Sequence, residues 1–284
     1  MEHTPVLMRE TVEGLNLFSG ALAVDATVGL GGHAKRILEA TAPGGHVYAF
    51  DRDSENLAKA RKNLAANGKR VTFIHDSFAN LGGRGVPPVD AVLFDLGFSS
   101  VHVDDASRGF SFQNDGPLDM RYDTRQELTA EIIVNSSGKE ELAAIFRKLG
   151  EEPMANQIAD AITKTRKKDR IVSTTQLADL IASVSPRRGK IHPATKVFQA
   201  LRMAVNDELG QIEKGLHGAI DLLKPGGRLC AISFHSIEDR VVKHLIKGSD
   251  QLRAINKRVI KPTLEEQKEN PRSRSAKLRI AEKI

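Results

Sequence analysis

The segment 24–33, VDATVGLGGH, contains residues that could do chemistry, namely three glycines and one carboxylate. Gly29, Gly31 and Gly32 leave the backbone bare, so a ligand can approach closely before a helix begins. Asp51 stands twenty residues after Gly31, at the end of the next apolar run. A carboxylate at that place can accept hydrogen bonds from both hydroxyls of a ribose. These residues predict a site for a nucleotide-type cofactor.

An acidic residue precedes this loop, in the order Asp25-x-x-x-Gly29-x-Gly31-Gly32. Dehydrogenases that bind dinucleotides space their glycines as Gly-x-Gly-x-x-Gly and hold a pyrophosphate there. S-adenosylmethionine instead carries a cationic sulfonium and an ammonium, so a carboxylate beside the loop attracts it and repels NAD. We therefore predict S-adenosylmethionine as the cofactor. A nicotinamide oxidoreductase and a purely structural glycine turn are the alternatives.

Two further segments carry side chains suited to methyl transfer. Phe78 follows the third apolar run, where its ring could form a wall for an adenine, although core packing would also suit it. Asp95, Gly97 and Ser99 follow the fourth run, and open parallel sheets bind ligands at the carboxyl ends of their strands. Transfer to an exocyclic amine needs acceptors that draw an amino hydrogen away. We predict Asp95 and Ser99 as these catalytic acceptors, with backbone capping as the competing interpretation.

The cysteine content limits which atom of a base can accept the methyl group. Methylation at C5 of a pyrimidine normally requires a thiolate that adds to the ring. The single cysteine, Cys230, lies within an apolar run, where a core position is expected. The sequence therefore favours a base amino group as the methyl acceptor, with direct in-line transfer and no metal. A single cysteine also excludes an internal disulfide.

The elements that must position these residues follow from periodicity. Apolar runs alternate with helical patterns at both ends of the chain, which predicts a parallel sheet covered on both faces. Residues 125–190 show only helical patterns. We predict an α/β fold, a Rossmann-like class I S-adenosylmethionine-dependent methyltransferase sheet with an inserted all-helical domain. The predicted boundaries are 1–122 and 205–284 for the sheet domain and 123–204 for the insertion.

Individual elements are predicted with the following bounds. Strands are predicted at 21–24, 46–51, 71–76, 90–96 and 228–234, with two closing strands within 252–260 and 275–282. Helices are predicted at 35–40, 54–67, 126–134, 139–149, 155–165, 174–184, 197–223 and 237–246. Two polar segments are predicted as loops, 108–121 as a lid or substrate clamp and 262–271 as a mobile loop. His235 follows the fifth strand and is interpreted mainly as structural.

Basic residues are unevenly distributed along the chain, whose net charge is +6. Residues 1–122 hold 12 basic and 15 acidic side chains, residues 123–204 hold 14 and 10, and residues 243–284 hold 12 and 5. Such an excess suits a polyanion such as nucleic acid, with solvated helix faces as the alternative. Apolar runs are far shorter than the roughly 20 residues needed to cross a bilayer, and the first residues lack a signal-peptide pattern, so we predict a cytoplasmic protein.

Twelve segments of the chain, in order and nearly from end to end, resemble the bacterial 16S ribosomal RNA (cytosine-N4)-methyltransferase family, the MraW-like methyltransferases. They are 3–7, 25–33, 50–53, 95–100, 108–112, 115–121, 150–152, 192–196, 198–202, 206–209, 232–240 and 270–275. The resemblance implies methylation of N4 of a decoding-centre cytidine, with 16S rRNA in the 30S subunit or a late precursor as the partner. An amino-group methyltransferase acting on DNA and a ribosome-assembly binding factor are the alternatives.

The cofactor contacts of this family fall on seven positions of the chain. They are Gly31, Gly32, His33, Asp51, Phe78, Asp95 and His102. His102 departs from the family pattern, because relatives often have Gln there. The resemblance does not settle the catalytic base, so the assignment of Asp95 and Ser99 depends on the strand-end argument, and Asp95 could serve the cofactor instead.

Overall fold

The structure is a computed structural model that describes residues 5–97, 105–185 and 192–284. The chain folds into two compact units, one formed by residues 1–97 and 209–284 and the other by residues 98–208. These boundaries differ from the predicted 1–122, 123–204 and 205–284. The reason is that Leu118 and Met120 are buried in the hydrophobic core of the helical unit, which therefore begins earlier than its first helix.

Seven strands form a single sheet in the first unit. They are β1 (Leu22–Asp25), β2 (His46–Asp51), β3 (Val71–His75), β4 (Val89–Asp95), β5 (Leu223–Ser233), β6 (Leu252–Ala254) and β7 (Lys277–Lys283). Their order across the sheet is β3-β2-β1-β4-β5-β7-β6. The first five strands are parallel, and β7 pairs antiparallel with both β5 and β6. This sheet confirms the predicted α/β fold.

Helices cover both faces of the sheet and build the second unit. They are α1 (Met8–Gly14), α2 (Gly32–Ala40), α3 (Ser54–Asn63), α4 (Ala130–Ser136), α5 (Lys139–Gly150), α6 (Ala155–Thr165), α7 (Thr174–Val184), α8 (Ala194–Val205), α9 (Glu208–Leu222), α10 (Ser236–Gly248) and α11 (Leu264–Glu269). Within the described ranges, none of these helices has the length and apolar character of a membrane span.

The sheet has a separate hydrophobic core on each face because neighbouring strand residues point to opposite sides. Along β4, Ala91 and Leu93 belong to one core, whereas Val92 and Phe94 belong to the other. All four side chains are fully buried. Burial on both faces explains why the parallel strands read as continuous apolar runs rather than as alternating ones.

The segment 105–122 is packed within the helical unit, so the prediction for 108–121 is corrected from a lid, while a substrate clamp stays a prediction. Pro117 forms a β-bridge with Ser173. A Cβ at Gly116 would lie 1.9 Å from the Ala106 carbonyl oxygen, so the backbone here is packed against itself. Met120 is fully buried. The sequence pattern of glycines and aspartates marks a tightly folded loop whose fixed shape comes from these contacts.

The predicted helix 197–223 is interrupted between α8 and α9. The Asn206 side chain donates to the Met120 carbonyl oxygen over 2.7 Å and accepts from the Tyr122 backbone nitrogen over 2.9 Å. Asp207 has a left-handed φ of 47°. A left-handed residue cannot continue an α-helix, so α8 ends before Asp207, and the Asn206 side chain holds the turn against Met120 and Tyr122.

The tail closes the sheet more irregularly than predicted. Only Leu252–Ala254 and Lys277–Lys283 form strands, and Ile260 adds a single bridge to Leu278. The segment 262–271, predicted as a mobile loop, contains α11. The Glu266 carboxylate accepts a hydrogen bond of 2.7 Å from the Leu7 backbone nitrogen, so the tail and the first described residues are joined.

Candidate active site

The loop between β1 and α2 requires its three glycines. Gly29 and Gly31 have φ angles of 51° and 89°, in the left-handed region that side chains rarely adopt. A Cβ at Gly32 would lie 2.3 Å from Cγ of Pro5. The fold itself therefore explains glycine at all three positions.

Asp51 ends β2 and holds this loop in place. Its Oδ2 accepts hydrogen bonds from the Gly29 backbone nitrogen over 3.0 Å and from Nδ2 of Asn56 over 3.3 Å. Its Oδ1 accepts from the Asp53 backbone nitrogen over 2.8 Å. Sequence reasoning placed Asp51 at the ribose position but did not identify Asn56 as its partner. A buried asparagine one turn into the helix after an acidic strand end is the signal that could have indicated it.

Asp25 is a buried carboxyl at the end of β1. Only 1% of the residue is exposed, and its Oδ1 accepts a hydrogen bond of 3.2 Å from the Thr27 backbone nitrogen. Its Oδ2 is buried and has no hydrogen-bond partner among the described residues. Burial, with a contribution from the charge of Asp51, raises the pKa of Asp25 to about 7. Uncompensated burial of a carboxylate oxygen is costly, so a cation placed here would be stabilised.

Asp95 ends β4, the strand next to β1. Its backbone nitrogen donates to Oγ1 of Thr27 over 2.7 Å. The side chain is 21% exposed, while its Oδ1 is buried without a hydrogen-bond partner in the described ranges. Burial and the neighbouring carboxylates of Asp25 and Glu238 raise the pKa of Asp95 to about 8. At neutral pH the free protein therefore holds a proton at this corner.

His33 lies in the first turn of α2 and is buried, with 6% of the residue exposed. Its Nε2 lies 3.1 Å from the Val6 carbonyl oxygen, and its Nδ1 lies 3.5 Å from Oδ2 of Asp95. The family resemblance implied His33 as a cofactor contact. The structure places its imidazole between the first described residues of the chain and the end of β4.

Phe78 begins a short 3-10 helix, Phe78–Gly83, after β3. Its ring packs edge-on against Phe94 with the centroids 5.4 Å apart, and a Cβ at Gly215 would lie 2.5 Å from its Cδ2. The ring is half-buried. Both sequence interpretations, core packing and a wall for an adenine, are compatible with this position.

Asp76, two residues before Phe78, is engaged in its own turn. Its carboxylate accepts from the Ser77 backbone nitrogen over 2.7 Å and from Nδ2 of Asn80 over 3.0 Å, and it forms an ion pair with Arg84. These bonds assign it a structural role. Two other predicted site residues, Ser99 and His102, lie outside the residues that the structure describes.

The corner after β5 has a structural explanation. His235 is the N-cap of α10, and its Nδ1 accepts from the Glu238 backbone nitrogen over 3.3 Å. Glu238 in turn accepts from the Phe234 backbone nitrogen over 2.9 Å. The Phe234 ring lies against Gly97, where a Cβ would be 3.2 Å away and where φ is 110°. Gly97 is therefore required at this corner by close packing.

The geometry fits a cationic cofactor. Asp25 and Asp95 end adjacent strands, and each has a buried carboxyl oxygen without a hydrogen-bond partner among the described residues. The glycine loop and Asp51 lie beside them at the same end of the sheet. A sulfonium and an ammonium are positively charged, so they would stabilise the ionised form of these carboxyl groups. A pyrophosphate would add two negative charges to the same place.

Comparison with known proteins gives consistent results. A curated relative from Desulfotalea psychrophila, named ribosomal RNA small subunit methyltransferase H, is 46% identical over 289 residues, covering 99% of this chain and 98% of the relative. A relative of the same name from Nostoc punctiforme is 49% identical over 287 residues, covering 99% and 94%. The fold is similar to that of TrmN from Thermus thermophilus, with a TM-score of 0.50 at 14% identity, over 98% of this chain and 48% of that one.

A family model described as the MraW methylase family matches residues 1–284. A match of this extent agrees with the resemblance seen in the sequence and with the carboxyl-lined corner of the sheet. It confirms the predicted enzyme class, a methyltransferase with S-adenosylmethionine as its cofactor. The chain belongs to the MraW methylase family.

Proposed function

We propose that this protein transfers a methyl group from S-adenosylmethionine to the exocyclic N4 of a decoding-centre cytidine in the 16S rRNA of the small ribosomal subunit, and that it acts in the cytoplasm. The observation that carries the proposal is a pair of carboxyl groups at the ends of adjacent strands, Asp25 and Asp95, each with a buried oxygen that has no hydrogen-bond partner among the described residues. The names of the relatives support the ribosomal RNA substrate.

Each residue of the site has a part in this reaction. When bound, S-adenosylmethionine supplies an activated methyl group. Asp51 is proposed to accept the ribose hydroxyls, and the backbone of Gly31 and Gly32 to contact the cofactor. Asp25 compensates positive charge, and Asp95 accepts a hydrogen from the target amine, which leaves the nitrogen lone pair less delocalised into the ring. Ser99 is proposed as a second acceptor.

The burial of the Cys230 thiol favours nitrogen over carbon as the methyl acceptor. The thiol lies in the middle of β5 and is fully buried. Burial raises the pKa of the Cys230 thiol far above neutrality. A thiol held in that form cannot add to a pyrimidine ring, whereas attack by an exocyclic amine requires no nucleophile from the protein.

RNA contacts are proposed for the basic residues of the helical unit and of the tail. Lys167 and Lys168 are exposed at the end of α6. Neutralising phosphates with such side chains provides most of the affinity for nucleic acid. The target cytosine would leave its stack to reach Asp95, as bases do in other enzymes that modify them.

The proposal is tested by incubating the protein with methyl-labelled S-adenosylmethionine and 30S particles, followed by nucleoside analysis of the 16S rRNA. We expect label in N4-methylated cytidine. Label only in 5-methylcytidine or in 2′-O-methylated nucleosides would contradict the proposed target atom. Free 16S rRNA and duplex DNA are included as alternative substrates, and equal labelling of DNA would favour the DNA methyltransferase instead.

The binding-factor alternative is tested in cells with the Asp95→Ala variant. If methylation is the function, loss of the modification and any growth or assembly defect should appear together. A variant that abolishes methylation but fully supports subunit assembly would favour a role in binding.

A further inference from the structure

The environment of His33 determines which of its nitrogens carries hydrogen. Nε2 lies 3.1 Å from the carbonyl oxygen of Val6. A carbonyl oxygen can only accept a hydrogen bond, so Nε2 must be the donor. This holds for the neutral and for the cationic imidazole. Nδ1, the nitrogen facing Asp95, is consequently the atom at which His33 gains or loses a proton.

Nδ1 of His33 and Oδ2 of Asp95 are 3.5 Å apart, at the limit of a hydrogen bond. Two arrangements are compatible with this contact: a neutral imidazole that accepts from a protonated Asp95, and an imidazolium that donates to a carboxylate. Both contain one proton between the two groups. The net charge of the pair is zero in either case, which suits a site where 6% of His33 is exposed.

Among the described residues, the other charged groups that act on Asp95 oppose its ionisation. Asp25 faces it from the end of β1, and Glu238 faces it from α10. Asp51 lies beyond Asp25 at the end of β2 and acts on that carboxyl in the same direction. His33, from α2, is the group in this set that can become positive. Without the imidazole, the carboxyl groups of Asp25 and Glu238 would oppose a charged Asp95.

We propose that His33 is a positioning residue for the methyl transfer, holding the Asp95 carboxyl through Nδ1 and sharing one proton with it. This inference depends on the proposed function, in which Asp95 accepts a hydrogen from the target amine. The amine nitrogen forms a bond to the methyl carbon as sulfur keeps the electron pair of the broken carbon–sulfur bond. The nitrogen then releases one proton to Asp95, and the pair passes that proton to solvent.

The first described residues of the chain give His33 its orientation. Val6 provides the carbonyl that fixes the imidazole, Pro5 packs against Gly32, and the Leu7 backbone nitrogen is held by Glu266 of the tail. Leu7 also has a left-handed φ of 52°, which turns the chain at this point. Residues 5–7 thus support a side chain of the active site.

The first test measures the free protein and needs no substrate. Nitrogen-15 NMR of the imidazoles should show His33 with hydrogen on Nε2 in its neutral form. The midpoint of its titration should fall by about one pH unit in Asp95→Asn, because the carboxylate that stabilises the imidazolium is gone. Hydrogen on Nδ1, or a midpoint that Asp95→Asn does not move, would overturn the inference.

The second test separates positioning from cofactor binding. His33→Gln retains an amide nitrogen that can reach the Val6 carbonyl oxygen but removes the group facing Asp95. We expect the rise of kcat with pH to move upward by about one unit, so that kcat at pH 7 falls about tenfold, while the Kd of S-adenosylmethionine changes less than twofold. An unchanged pH profile with a weakened Kd would identify His33 as a direct cofactor ligand and would refute the inference.

A matched control and a second variant keep the result interpretable. His46 lies at the start of β2, away from the carboxyl ends of the strands, and bonds to Oγ1 of Thr72 over 2.8 Å. His46→Asn should leave the pH profile unchanged. His33→Asn, whose amide can reach Asp95 but cannot share its proton, should show the same pH shift as His33→Gln. If the protein does not methylate 30S particles but the NMR result holds, the proposed function is wrong. The proton shared by His33 and Asp95 is then still supported.

Discussion

Asp25 gives the clearest prediction for a single residue, because its ionisable side chain is buried. An unfolded Asp titrates near 3.9, whereas in the folded protein the pKa of Asp25 is raised to about 7. The folded state therefore binds the proton more tightly, and this contribution to stability is fully present below pH 4 and is lost as the pH rises to about 7. Asp95, raised to about 8, extends the loss to higher pH.

We expect Asp25→Asn to stabilise the free protein at pH 8 and to weaken cofactor binding. An amide carries no buried charge, so the free energy of unfolding should increase by about 1–3 kcal/mol, measured by urea unfolding. The Kd of S-adenosylmethionine, measured by calorimetry, should rise at least about tenfold, because a charge-assisted contact is lost.

A matched control for this change is Asp53→Asn. Asp53 is the N-cap of α3, and its Oδ1 accepts from the Glu55 backbone nitrogen. Asn caps helices about as well as Asp, so the unfolding free energy should stay within about 0.5 kcal/mol. A destabilised Asp25→Asn at pH 8 would show that the buried carboxylate is compensated by the protein itself.

At the residue scale, sequence reasoning located the groups that end strands and missed those that support them. Asp25, Asp51 and Asp95 could be found because each follows an apolar run, and parallel strands bring their carboxyl ends together. Val6 and Glu238 could not be found in the same way. Their roles come from the packing of α2 and α10 against the sheet, which no local pattern encodes.

At the scale of elements, propensity and periodicity predicted most helices of the inserted unit within a few residues. The break after Asn206 was missed, because the bonds that hold this turn reach residues more than 80 positions earlier in the chain. Helix α11 was missed for a similar reason. A short polar helix has weak periodicity, and its position is fixed by the contact between Glu266 and Leu7.

Helix α2 offers a test of how the loop and the start of the chain depend on each other. A Cβ at Gly32 would lie 2.3 Å from Cγ of Pro5, so Gly32→Ala must displace Pro5 or the glycine loop itself. We expect a loss of about 1–3 kcal/mol in unfolding free energy, typical of overpacking, together with a weaker affinity for S-adenosylmethionine.

Gly82→Ala is the control, since a Cβ there meets nothing within 4 Å. It should change the unfolding free energy by less than about 0.5 kcal/mol and leave cofactor affinity unchanged. Equal effects of the two substitutions would mean that the Pro5 contact does not support the loop.

At the scale of the whole molecule, the sequence predicted the two units and the roles of their basic residues only in part. The sequence indicated an inserted helical domain, but its amino-terminal boundary was placed too late. Residues that belong to the helical core before α4, such as Leu118, have no helical periodicity of their own. Composition could identify the basic middle of the chain, whereas it could not tell which basic side chains are already used by the fold.

Arg166 and its neighbours illustrate that difference. Nη1 and Nη2 of Arg166 each donate over 2.6 Å, to the carbonyl oxygens of Val134 and Ser137. This arginine ties α6 to α4 and is part of the structure of the unit. Lys167 and Lys168, directly after it, are exposed. The same basic run therefore contains a structural residue and two candidates for phosphate contact.

Replacing Lys167 and Lys168 together by Ala should weaken binding to 30S particles or 16S rRNA and reduce its salt dependence. Each lost phosphate contact lowers the slope of log Kd against log salt by about 0.7–0.9, so the double variant should lose about 1.4–1.8. The Kd of S-adenosylmethionine should not change, because neither lysine lies in the sheet unit. Lys59→Ala with Lys62→Ala removes the same charge from exposed positions of α3 and should leave the slope unchanged. If both double variants reduced the slope equally, net charge rather than the end of α6 would account for RNA binding.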